Sequence, residues 1–307
     1  MNSIKITTKK APIILFALSI ILSLSNLKVS AQSPTDNFTR ELAIGKMVDL
    51  GMTIDEAEHM SDEDLKVFYN ANQVSWDKRY YYVPEDESKM PVLITEKEML
   101  KAVEQKEYLN NVDNISTFGY EDDTQVSSGG YLEQYVYIAD SYDYPGRHYI
   151  SYRASWLIQP LNRKIDVFGV AVSNATVVPG SASTKYDWVI DRYYNGNYQP
   201  NWSSATVDLK SSLKYDAHGV ATKCKLMTDT LDGIQQVVSQ NMYLSFYVTK
   251  DNPNISTIGV AGNYMHQEAV FSVSPSITAV DFTVGISITS SDKFTTMLPN
   301  PYTVLYE

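Results

Sequence analysis

The chain has 307 residues, a formal net charge of −11, a single cysteine, and 23 tyrosines against 9 phenylalanines. Nucleic acid, anionic lipid and anionic wall polymers are poor partners for so acidic a surface, and no cluster of Lys and Arg reverses its sign locally. One cysteine cannot form an internal disulfide, so stability must come from a hydrophobic core, for which the length is ample.

Residues 1–31 have the three parts of a secretory signal: Lys5, Lys9 and Lys10, an apolar run from Ala11 to Leu24, and "VSA" before cleavage after Ala31. The apolar run is shorter than the ~20 residues of a spanning helix. With no cysteine at the cleavage site and no sortase-type tail in "LPNPYTVLYE", secretion without a stable membrane anchor is expected. Export without disulfides points to a Gram-positive bacterium. The sequons at Asn37, Asn114, Asn174, Asn201 and Asn254 would be glycosylation acceptors only in a eukaryotic pathway.

From Phe38 to about Glu107 apolar residues recur at helical spacing. Leu42, Met47 and Leu50 predict a helix ending at Gly51; Thr53 with Glu56 opens a second, and Ser61 with Asp64 a third that carries Leu65 and Phe68. "RYYYVPEDESKMPVLIT" reads as two extended segments around an acidic turn. Thr95 and Glu98 then cap a helix with Leu100 and Val103 inward. Polar "EDDTQVSSGG" marks a linker, after which the period falls from 3.6 to 2.

About nine alternating segments follow, punctuated by turn residues such as Pro145-Gly146, Pro179-Gly180 and Asn195-Gly196. The predicted fold is α+β overall, a small N-terminal helical region followed by an antiparallel all-β sandwich, with a barrel as the alternative. The domains are a signal peptide (1–31), a mostly helical domain (32–120), a linker (121–130) and a β-sandwich domain (131–307).

Four segments carry a likeness. "LGMTIDEAEHMSDEDLKVFY", "RYYYVPEDESKMPVLITEKEML", "ASWLIQPLNRKIDVFGVAVSNATVVPG" and "GNYMHQEAVFSVSPSITA" resemble an uncharacterised family of secreted proteins from Bacillus and related Firmicutes. The resemblance implies a bacterial, exported, two-part protein and carries over no activity or functional residue.

Catalytic chemistry has little to draw on. The histidines are His59, His148, His218 and His266, with neither a G-x-S-x-G elbow nor an H-E-x-x-H helix. His266 shares a strand face with Tyr264 and Glu268 and could pair with that carboxylate. Cys224 shares one strand face with Val220, Thr222 and Leu226, which reads as core packing, while Lys223 and Lys225 point away. Acidic residues such as Asp140, Asp143, Asp187 and Asp191 could form a glycosidase pair, but pairing is spatial and the spacing does not give it. "DSYDYPG" and "DTLDG" fall short of a calcium loop. No catalytic residue, metal site or cofactor is assigned.

The stretch "DRYYNGNYQPNW" sets aromatic residues around Asn195-Gly196, a strong hairpin signal. Tyr194 and Asn197 would flank the turn, with Tyr193 and Tyr198 one step farther. The rings are either cross-strand packing or a stacking platform for a sugar, which Trp188 could extend. On the second reading Tyr193, Tyr194, Tyr198 and Trp202 bind a ligand. The expected function is a secreted binding or interaction module that recognises a neutral glycan or a partner protein. A secreted hydrolase using acidic residues is the alternative, and a membrane-active toxin the remote one.

Overall fold

The computed structural model describes residues 38–306 except 51, 59, 87, 114–128, 142, 161–162, 195–196, 231–233, 270–275, 280–285 and 290–292. The predicted signal peptide, His59 and most of the predicted linker lie outside these.

Three short helices come first: α1 (Arg40–Asp49), α2 (Ile54–Glu58) and α3 (Asp62–Asn70). None is long enough to hold alone, so side chains from one satisfy the ends of another. Ser61 caps α3 as its spacing predicts, its Oγ accepting from the Asp64 N–H at 3.1 Å. Lys46 of α1 donates to the Ala71 carbonyl (2.6 Å) and to that of Tyr69 at the other end of α3. Arg40 donates to the carbonyls of Glu58 (2.6 Å) and Met60 (3.0 Å) and pairs with Asp62. The buried stripe of α1 is Ala43 and Met47, four residues apart, which leaves the expected core residue Leu42 exposed.

The two extended segments are β1 (Val74–Pro84) and β2 (Val92–Ile94), paired antiparallel as expected. β1 also pairs along its whole length with β3 (Gly129–Asp140), from Val74↔Ala139 to Pro84↔Gly129. The chain before the predicted linker therefore supplies two strands to the larger sheet. Between β2 and β3 runs α4 (Glu96–Asp113), opened by a reciprocal capping box: the Glu98 N–H donates to Thr95 Oγ1 (3.3 Å) and the Thr95 N–H to Glu98 Oε2 (2.7 Å). That start turns Met99 and Ala102 inward, and Leu100, expected in the core, lies outside.

The remaining strands are β4 (Arg147–Ile158), β5 (Ile165–Ser173), β6 (Ala175–Val177), β7 (Ser183–Tyr194), β8 (Asn197–Asp208), β9 (Lys214–Asp216), β10 (Gly219–Lys225), β11 (Gln235–Lys250), β12 (Thr257–Ala269), β13 (Ser276–Ala279), β14 (Ile286–Thr289), β15 (Lys293–Thr296) and β16 (Tyr302–Tyr306). One sheet runs β2-β1-β3-β4-β11-β7-β8 with β6 beside β11, and a second runs β15-β12-β5-β10-β9 with β16 beside β12; all these pairs are antiparallel. β13 and β14 pair with each other.

Alternation explains how the two sheets meet. Along β11, Met242, Leu244, Phe246 and Val248 are buried while their neighbours are half-exposed. With Ile138, Tyr152 and Trp156 they form one core with Phe168, Val170, Val220, Val260, Tyr264 and Leu305 of the second sheet. A common core between two antiparallel layers is sandwich-like. The opposite face of β4 is buried as well. There Tyr149 donates to Asp64 of α3 (2.9 Å), and Phe68 lies 5.7 Å from the Tyr137 ring and 5.9 Å from that of Tyr149. Gly146 and Gly180 end their Pro-Gly turns at φ +80° and +76°, the left-handed region the sequence called for.

Candidate functional site

β7 and β8 meet in the register Tyr193↔Tyr198 and Tyr194↔Asn197, the spacing of a two-residue turn whose residues 195–196 lie outside the described set. Just behind the tip the register shifts at Asp191, which is buried. Its carboxylate accepts from the Asn201 N–H at 2.8 Å and from the Tyr198 hydroxyl, and Asn201 takes φ +52°, a conformation asparagine tolerates. One acidic side chain thus pins both strands of the irregular ladder.

The aromatic rings divide into two sets. The Arg192 guanidinium lies 4.5 Å from the centre of the Tyr194 ring and 4.4 Å from that of Trp202, which joins these two rings through a shared cation. Tyr194 is 48% exposed and Trp202 47%. Tyr198, 51% exposed, is tethered by its hydroxyl to Asp191 instead. Tyr193 is placed only by its strand register. Trp188 packs against the core and does not extend the tip. The sequence reading missed Asp191 and Arg192 as the organising residues; the available signal was an adjacent acid and base leading directly into an aromatic run.

His266 is held by a carboxylate from the neighbouring strand. On β5, Asp166 sits opposite His266 of β12 on one side and opposite Cys224 of β10 on the other. The His266 Nδ1 lies 2.7 Å from Oδ1 of Asp166, its direct cross-strand neighbour, while the side chain of Glu268 lies outside the described set. The Trp156 indole, reaching across from the other sheet, donates to Asp166 Oδ2 (3.1 Å) and lies 2.9 Å from the Tyr264 hydroxyl, which itself donates to Asp166. Asp166 is 0% and His266 2% exposed, so this cluster is sealed from solvent and ties the two layers together. Burial, reinforced by the nearby Asp166, pushes the Cys224 thiol well above its ordinary value. Cys224 is therefore expected to resist iodoacetamide in the native protein and to label fully in urea; rapid native labelling would contradict this packing.

The other named residues are engaged elsewhere. His148 lines an open cleft of about 710 Å³ with Asp140, Arg147 and Lys250. The Asp140 carboxylate accepts from the N–H groups of Asn72 and Gln73, both at 2.8 Å, and from Asn72 Nδ2 at 2.9 Å, so Asp140 secures the chain after α3. His218 Nδ1 lies 3.0 Å from the Ala175 carbonyl. Among the described residues no group of three or more His, Cys, Asp or Glu gathers as a metal site, and no helix is long and apolar enough to cross a membrane.

No family model and no curated protein matches the chain. Among solved structures, the collagen-binding domain of the Erysipelothrix rhusiopathiae surface protein RspB is similar at 6% identity, over 59% of this chain and 67% of that one, with a TM-score of 0.25. The full-length major pilin RrgB from Streptococcus pneumoniae is similar at 8% identity, over 87% and 60%, with a TM-score of 0.26. A structure described as a pore forming protein has 11% identity over 57% and 84%, with a TM-score of 0.23. Likenesses this distant say nothing of ligand or partner.

Proposed function

We propose that this chain is an exported extracellular binding module, with residues 1–31 removed and a small helical region preceding the strands, and that the β7–β8 hairpin contacts the ligand. The observation that carries the reading is the pair of exposed rings, Tyr194 and Trp202, that both lie against the Arg192 guanidinium beside the register shift at Asp191. A ring ordered before the ligand arrives loses little entropy on stacking, and amphipathic rings on an open tip suit a neutral glycan or a partner protein. The net charge of the full chain is −11, and removal of Lys5, Lys9, Lys10 and Lys28 with residues 1–31 makes it more negative, which disfavours polyanions. The predicted signal and the resemblance to secreted Bacillus proteins support the extracellular setting.

The test is titration of the purified protein against peptidoglycan fragments and neutral polysaccharides, followed by isothermal titration calorimetry. Trp202→Ala is expected to weaken binding about 30-fold, the ~2 kcal/mol of an aromatic hot spot. Arg192→Ala, which removes the cation that both rings share, should cost about tenfold. Trp202→Ala should keep the wild-type urea midpoint, since its half-exposed side chain stands outside the core. Unchanged affinity in Trp202→Ala would remove the tip from the binding surface.

A further inference from the structure

A cleft of about 360 Å³ opens where β8 ends the larger sheet. One wall belongs to that sheet and its exit, with Tyr186, Trp188, Val207 and Leu209. The other is the chain leaving β10 of the second sheet, with Lys225, Leu226, Met227 and Thr228. Residues 226–230 form no strand, and between the two walls Trp188 is left partly buried and Val207 42% exposed.

Hydrogen bonds fix the separation of the walls. The Met227 N–H donates to the Tyr186 hydroxyl and to Gln240 Oε1, both at 2.7 Å, and the Tyr186 hydroxyl donates to Gln240 in turn. Tyr186 and Leu226 are buried, while Trp188, Leu209 and Met227 pack against the core. The rings are therefore in place before anything enters. Preformed, mainly apolar clefts of roughly 300 to 1,000 Å³ with a few polar groups are the usual form of a small-molecule site.

Charge narrows the ligand. The chain has 36 acidic residues against 25 basic ones, yet the one charge among these lining residues is a cation, the exposed Lys225, with the Thr228 hydroxyl on the same wall. Asp208, between Val207 and Leu209, does not line the cleft, and its carboxylate accepts from the Lys210 N–H at 2.7 Å. An indole and a thioether suit the faces and edges of a flat ring. We infer that the cleft binds a small aromatic carboxylate, with its ring on Trp188 and Met227 and its anionic head at Lys225 and Thr228. This site is distinct from the β7–β8 tip and does not depend on a ligand there.

Calorimetric titration with naphthoate and with its uncharged amide tests this. The wild type is expected to bind naphthoate saturably, one to one, and the amide about fivefold more weakly, the scale of one exposed charge pair. Lys225→Met, which keeps the apolar stem, should bind the two equally. Val207→Glu, which sets a like charge at the mouth, should weaken naphthoate by at least about tenfold. Both positions are exposed, so the variants should keep the wild-type circular dichroism and urea midpoint. In nuclear magnetic resonance the Trp188 indole signal should move with naphthoate while that of Trp202 stays. No saturable binding of naphthoate, equal affinity of the wild type for acid and amide, or wild-type affinity in Val207→Glu would each overturn the proposal. A shift of Trp202 in place of Trp188 would overturn it too, by moving the contact to the tip.

Discussion

Asp166→Ala lowers the free energy of unfolding by about 3 to 5 kcal/mol in urea denaturation, the cost of removing one member of a buried polar cluster. The size follows from what the carboxyl group holds. It receives the Trp156 indole and the Tyr264 hydroxyl on one oxygen and faces His266 Nδ1 with the other, at 0% exposure. Alanine leaves those groups where water cannot reach them and opens a cavity at the point where the two sheets are tied together. Tyr264 and Trp156 keep each other at 2.9 Å, which limits the loss. Asp166→Asn, retaining one acceptor, should cost about half as much. A loss below ~1 kcal/mol for alanine would show that the cluster is not what couples the layers.

Phe68→Ala is the second large effect, about 3 to 5 kcal/mol for a fully buried ring. Phe68 packs on Tyr137 and Tyr149 of the larger sheet, and its helix is held there by Asp64 accepting from the Tyr149 hydroxyl. The helices and that sheet should therefore unfold in one transition, with the whole midpoint shifted by the substitution. An early separate transition of the helices, leaving the strands at the wild-type midpoint, would mean that they form an independent folding unit. Tyr149→Phe, which leaves Asp64 short of one donor, should cost about 1 to 2 kcal/mol in the same assay.

The strands after residue 130 were legible because alternation is a local signal. Met242 to Val248 show it directly, and Pro145-Gly146 and Pro179-Gly180 mark turns where glycine takes positive φ without strain. Helix starts were legible for the same reason: Ser61 with Asp64 and Thr95 with Glu98 bond as their three-residue spacing requires. Which apolar residues of a helix face inward was less so. Leu42 and Leu100 lie outside because the partners that select Met47 and Met99 are distant in sequence.

Long-range pairing left no local mark. Nothing within "VSWDKRYYYVP" announces that it will pair across a polar stretch with Gly129–Asp140, and nothing around His266 names Asp166, a hundred residues earlier. At the hairpin the register could be read from Asn195-Gly196, whereas the shared cation could not. Cation–ring geometry at Arg192 depends on the bulge at Asp191, and that irregularity appears only when both strands are in place.

The sharpest test of the account follows the indole N–H signals of the tryptophans by nuclear magnetic resonance during titration with peptidoglycan fragments and neutral polysaccharides. Trp202 should shift as a ligand is bound, while Trp156, sealed against Asp166, stays fixed. Saturable binding that moves other signals and leaves Trp202 untouched would contradict a ligand surface at the β7–β8 tip.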